Sequence, residues 1–188
     1  MSQTTVSAGG QSIGVAGQLA DSMEGRDIVS GFNREAAAQI PFGFGLMKKT
    51  GGLAEEYVLP SGPSGTAVIV GLSVFNYTHA RAGTVDPAGN FSGDMGASGL
   101  LPGSSLQVLR TGRALVPVET TVQPEDRAFC RTVATGALSV GAWGGTNLGG
   151  SYMRDCTTQG VFRSATFTAA DGVTKVAILE VNFGIKAP

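Results

Sequence analysis

A single histidine, His79 in "FNYTHARAG", is the first place to look for chemistry in this chain. It closes an apolar run and precedes a glycine-bearing loop. A serine hydrolase would set such a histidine beside an activated serine and an orienting carboxylate, yet no GxSxG elbow occurs in the sequence. Cys130 and Cys156 are the two cysteines, with neither CxxC spacing nor a histidine partner. They are expected to be reduced, buried or half-buried thiols. Metal ligation needs clustered donors, but Glu55-Glu56, Asp86, Asp94 and Glu125-Asp126 are spread over turns. Asp86, Asn90 and Asp94 step by four residues, unlike the alternating donors of a calcium loop. The glycine pairs of "GAWGGTNLGGS" (141–151) lack the Lys-Ser/Thr of a phosphate loop and lead into no helix. The expectation is therefore no enzyme, with no catalytic residue, no cofactor and no metal.

Charge narrows the partners. Formal net charge is -1, and only 14% of residues are charged, roughly half the usual share. Lys48-Lys49, Arg81, Arg110, Arg113, Arg127 and Arg131 are dispersed, which argues against nucleic acid. No run nears the ~18 apolar residues of a membrane span, and the start lacks a basic-then-apolar signal pattern. A chain made and kept in the cytoplasm, or in an assembly built there, is the expectation. With 29 glycines and 42% hydrophobic residues, it has enough to bury.

The elements that would position any site are strands. Apolar-polar alternation and turn clusters predict strands over 28–32, 42–49, 56–59, 67–75, 106–110, 113–119 and 127–133, then a last hairpin around Ala170-Asp171-Gly172. Within "LQVLRTGRALVPVETTVQPEDRAFCRT" (106–132), hairpin turns are expected at Thr111-Gly112 and at Gln123-Pro124-Glu125-Asp126. The stretch 67–75 is apolar enough for a strand buried on both faces or crossing between sheets. Asn33 before Ala36-Ala37-Ala38 suggests a capped helical turn, limited by Pro41. The class is all-β, a β-sandwich or jelly-roll-like body at 27–188, with Gly-rich loops at about 83–104 and 134–160. Residues 1–26 form an extended N-terminal arm, too poor in large apolar groups to order itself.

The stretches "VAGQLADSMEGRDIVSGFNREAAAQIPFG" (15–43), "GLLPGSSLQVLRTGRALVPVETTVQPEDRAFCR" (99–131) and "VAILEVNF" (176–183) resemble the structural cement, or head decoration, proteins of tailed bacteriophages. Family members often carry Pro-Gly-Asp where this chain has Pro124-Glu125-Asp126. The resemblance implies a non-enzymatic protein of the virion, bound to the capsid exterior and made in the host bacterial cytoplasm. Its partners would be the major capsid protein and itself, as a dimer or trimer at a symmetry axis. Ile13, Val15, Leu19 and Met23 of the arm would be capsid contacts. A rival reading is a carbohydrate- or host-surface-binding β module, for which Trp143 and Tyr152 would flank the Gly-rich loop as stacking aromatics; a core role for Trp143 is the plainer reading.

Overall fold

The computed structural model describes residues 14–20, 27–74, 84–85, 91–92, 95–96, 99–148, 152–169 and 171–184. Fifteen strands and no helix are found among them: β1 (Asp27–Asn33), β2 (Gly45–Lys48), β3 (Glu56–Val58), β4 (Gly71–Val74), β5 (Thr84–Val85), β6 (Phe91–Ser92), β7 (Met95–Gly96), β8 (Gly99–Leu100), β9 (Ser105–Pro117), β10 (Phe129–Arg131), β11 (Trp143–Gly144), β12 (Met153–Asp155), β13 (Gly160–Phe162), β14 (Phe167–Thr168) and β15 (Lys175–Asn182). The all-β class read from the sequence is the class observed.

Half of the body is a small closed barrel. Parallel β1–β3 pairing is followed by antiparallel β3–β2, β2–β4, β4–β9 and β9–β1 pairs, which returns the sheet to its start. Leu46, Tyr57, Leu106 and Val108 fill its interior, and Ile40 and Leu100 join them through a bridge between their backbones. Five strands leave a narrow lumen. Gly31 and Gly71 face into it because a Cβ there would come within 2.4 Å of the Tyr57 ring or 2.3 Å of Val108.

β9 then runs out of the barrel and carries the second half. Its far end pairs with β15, which pairs with β13 and β14. A separate three-stranded sheet, β11-β10-β12, packs over the outside of the barrel and the inner face of β15. Leu72, Val74, Leu109, Ala114, Cys130, Trp143, Cys156, Leu179 and Val181 meet in that shared core. Two sheets around one apolar layer make the sandwich part of the body.

The hairpin expected at Thr111-Gly112 is not there. β9 passes straight through as one 13-residue strand. Against β1, Leu109 sits opposite Ile28 and Thr111 opposite Asp27, so Arg110 is an extra residue, a β-bulge. The bulge inverts the side-chain phase: Leu109 and Ala114, five apart, both reach the same core. Gly112, at φ 135°, supplies the backbone conformation that the bend requires. The break in alternation was real; its cause is a bulge and not a turn.

The second expected hairpin also fails. A turn does form at 123–126, closed by the Asp126 N–H to the Gln123 carbonyl, but β9 and β10 belong to different sheets. That turn is part of a crossing from one sheet to the other. Between Asn33 and Ile40 there is no helical turn either: Asn33 Oδ1 accepts the Glu35 N–H, and Ala36, Ala37 and Ala38 lie exposed. Along the described 67–74, only Gly71–Val74 is a fully buried strand, and Val68 is 59% exposed; Phe75 lies outside the described residues. The closing hairpin stands as read, with Phe167 opposite Val176 and Asp171 Oδ1 capping the Val173 and Thr174 N–H groups. The Gly-rich stretches taken as loops contain β5 to β8 and the second sheet's β11 and β12.

Candidate functional site

The described part of the N-terminal arm lies along the edge of β9. Gly17 donates its N–H to the Leu115 carbonyl (2.7 Å), Leu115 donates to the Gln18 carbonyl (2.9 Å), and Ala20 donates to the Arg113 carbonyl (3.0 Å). Leu19 forms an antiparallel bridge with Ala114. This is strand addition, and it occupies the same edge of β9 that β1 uses further along, because β15 holds the opposite edge at Thr111.

Small residues let the arm sit close. Ala16 and Ala20 pack on a minor cluster of Leu115, Ala169 and Val176, which lies on the face of β9 and β15 turned away from the main core. Beneath the arm, Gly43 has φ 78°, and a Cβ there would fall 2.8 Å from the Leu115 carbonyl and 3.0 Å from the Gly17 nitrogen. Of the four arm residues singled out in the sequence, Leu19 is half-buried against the main core and Val15 is 42% exposed. Ile13 and Met23 lie outside the described residues.

Among the described residues, those with chemical potential are not gathered. His79, Asp86, Asn90 and Asp94 lie outside the described residues. Glu56 accepts from Arg34 (2.8 Å) and from the Leu53 N–H, while Glu125 pairs with Arg163. Among the described residues no group of three or more His, Cys, Asp or Glu could hold a metal ion. Both thiols are free and buried. Burial pushes Cys156 up to about 12. Burial first, then Cys156 and Glu119 nearby, raises Cys130 well above the ordinary thiol range. Neither is a nucleophile at neutral pH.

Trp143 is fully buried, and its indole N–H donates to the Gly43 carbonyl (3.1 Å). It cannot stack on a sugar, which leaves Tyr152, 43% exposed, without its supposed partner. Sequence reasoning did miss one feature. Arg131 is 1% exposed and forms a buried ion pair with Glu119, 2.6 and 2.8 Å from Nε to the two carboxylate oxygens, while exposed Arg127 points elsewhere. An arginine in an alternating strand reads as a solvent-facing residue, and no local signal marks it as core.

A second charged cluster is on the surface. Glu180 accepts from Arg113 (2.6 Å) and Arg163 (3.0 Å), tying β9 to β15 and to the chain after β13. Arg163's hydrogen bond first, and Arg113's behind it, hold the Glu180 carboxyl below the usual carboxylate range against the opposing pull of partial burial. Because its folded pKa is depressed, Glu180 stabilises the fold above its unfolded pKa, and that contribution is lost as pH falls through the folded value. Glu180→Gln should therefore lower stability at neutral pH and flatten its decline below about pH 4.5. Urea midpoints at pH 7 and pH 3 check this; an unchanged difference between the two would show the cluster to be inert.

The described residues form an all-β body with an N-terminal segment added as a strand to the edge of β9. The chain belongs to the structural cement proteins: the family described as "Structural cement protein (E217 gp24/Pam3 gp6)" matches residues 2–179. A chain of a solved structure, "The capsid of Myoviridae Phage XM1", is similar in fold, with a TM-score of 0.59 and 17% identity over 97% of this chain and 98% of that one. No curated protein matches the sequence.

Proposed function

We propose that this protein binds the outer surface of a tailed-phage capsid and ties adjacent major capsid protein subunits together, catalysing no reaction. The observation that carries this reading is the family match, which runs through arm and body alike. The subunit would be made in the host bacterial cytoplasm and would associate with itself, as a dimer or trimer, where it meets a symmetry axis of the shell. A barrel and sandwich sharing one long strand make a stiff block, suited to holding neighbours at a fixed spacing. Low charge suits a surface that another protein covers.

Ile13, Val15, Leu19 and Met23 are the arm residues proposed to touch the shell. Val15 is exposed and Leu19 only half-buried, so both retain apolar surface to bury against a partner. Three backbone hydrogen bonds, worth about 0.5–1.5 kcal/mol each, hold the described part of the arm, and ordering its seven residues opposes them. Deleting residues 1–25 should leave a folded body with a slightly lower unfolding midpoint and much weaker binding to heads. Cosedimentation of the truncated chain with heads that lack the native protein is the measurement. Binding as tight as that of the full chain would mean that the arm plays no part.

A further inference from the structure

We propose that the β9 edge at Arg113–Leu115 is an acceptor groove for the arm of a second copy of this chain, and that the arm seen in it is one of two interchangeable occupants. The inference concerns copy-to-copy contact and holds whether or not the shell is the outside partner.

Three observations support it. The arm's attachment is shallow: the three backbone hydrogen bonds of Gly17, Leu115 and Ala20 hold it, with two alanines and a half-buried Leu19 as its packing. Strands held so lightly open at low cost compared with the body. The groove is also incompletely covered. Phe167 and Ile178, at the margin of the cluster under the arm, stay half-buried, and Val15 is 42% exposed. The exchanged arm itself would leave all three as they are; the body of the second copy, held beside the groove, would cover them. Finally, the joint is long for the gap it closes. Ala20 bonds Arg113 and Asp27 stands opposite Thr111, two positions further along β9, yet six residues connect them. Fully extended, six residues reach about 20 Å.

An identical arm makes identical contacts in an identical groove, so only the path of those six residues separates self-filling from exchange. That is the condition under which strands swap between protomers. Reciprocal exchange gives a closed dimer. Head-to-tail exchange gives a ring or a chain of copies linked by their arms.

Cross-linking tests this. Leu19 and Ala114 are bridge partners, and opposed strand residues have the Cα spacing that a disulfide needs. A Leu19→Cys copy and an Ala114→Cys copy are mixed, concentrated and oxidised. The expected result is a heterodimer joined between positions 19 and 114, as shown by peptide mass, with a yield that rises several-fold with concentration. A single chain carrying both substitutions, oxidised when dilute, should close its bond internally and then stay monomeric when concentrated. No heterodimer, with the double variant closing normally, would overturn the proposal. Ala114 is fully buried, so a second route guards against misfolding. An untagged chain lacking residues 1–20 should be captured by a tagged full-length chain, and lost when the tagged chain carries Gly17→Pro, which removes the N–H donated to Leu115. Equal capture by both tagged chains would also overturn it.

Discussion

Arg131→Met should lower the unfolding free energy by about 3–5 kcal/mol, because it leaves the nearly buried Glu119 carboxylate without its counter-charge. Arg131 and Glu119 have side chains 1% and 5% exposed. Besides the two contacts to Glu119, the guanidinium donates to the Val133 carbonyl (3.3 Å) and the Thr135 hydroxyl (3.4 Å). The pair therefore ties the end of β10 to the segment leaving β9 and to the exposed loop after Val133. Glu119→Gln should cost less, since the amide still accepts one hydrogen bond. The double change Arg131→Met with Glu119→Leu should recover most of the loss, because paired removal leaves no orphan charge. Urea unfolding of the parent protein, Arg131→Met, Glu119→Leu and the double variant forms a double-mutant cycle. A loss below about 1 kcal/mol for Arg131→Met would show that solvent or another cation reaches Glu119.

Trp143→Ala should cost about as much, roughly 3–5 kcal/mol. The ring is the largest fully buried side chain, and it lies where the second sheet meets the outside of the barrel. Removing it opens a cavity between the two halves of the body and leaves the Gly43 carbonyl without its donor. Gly43 in turn underlies the arm, so loosening here should also free residues 14–20. Trp143→Phe separates the two effects: it keeps most of the volume and loses the hydrogen bond, for about 1–3 kcal/mol. Denaturant midpoints give the size of each loss. Hydrogen exchange at the Gly17 and Ala20 amides reports the arm. Protection unchanged in Trp143→Ala would disconnect the arm from this part of the core.

How much of this was legible before the structure can be told residue by residue. Alternation at Leu106, Val108 and at Ala177, Leu179, Val181 marks strands with one face in a core, and those strands are present. The same alternation cannot say why it breaks. At Arg110 a turn and a bulge leave the same mark in the sequence, and only pairing with Ile28 and Asp27 distinguishes them. Barrel closure depends on β1 meeting both β3 and β9, contacts far apart in sequence that no local pattern encodes. Trp143 sits among glycines and reads as a loop aromatic, but those glycines let the chain press against Phe44 and Val122 and carry the ring inward. Arg131 was beyond reach for the same reason: burial of a charge is decided by the position of Glu119, twelve residues away. The arm's poverty in apolar groups was visible, whereas its docking on β9 required Gly43 and Leu115 to be in place.

The central claim is that this chain strengthens an assembled shell. A subunit that binds the shell and not its dissociated parts stabilises it by mass action, by an amount that grows with free subunit concentration. The direct measurement is the temperature at which heads release DNA, followed by a dye excluded from intact particles, for heads with and without this protein and for bare heads after adding it back. The account predicts earlier release from bare heads and recovery that rises with added protein until the sites are filled. Identical release temperatures in all three samples would contradict it.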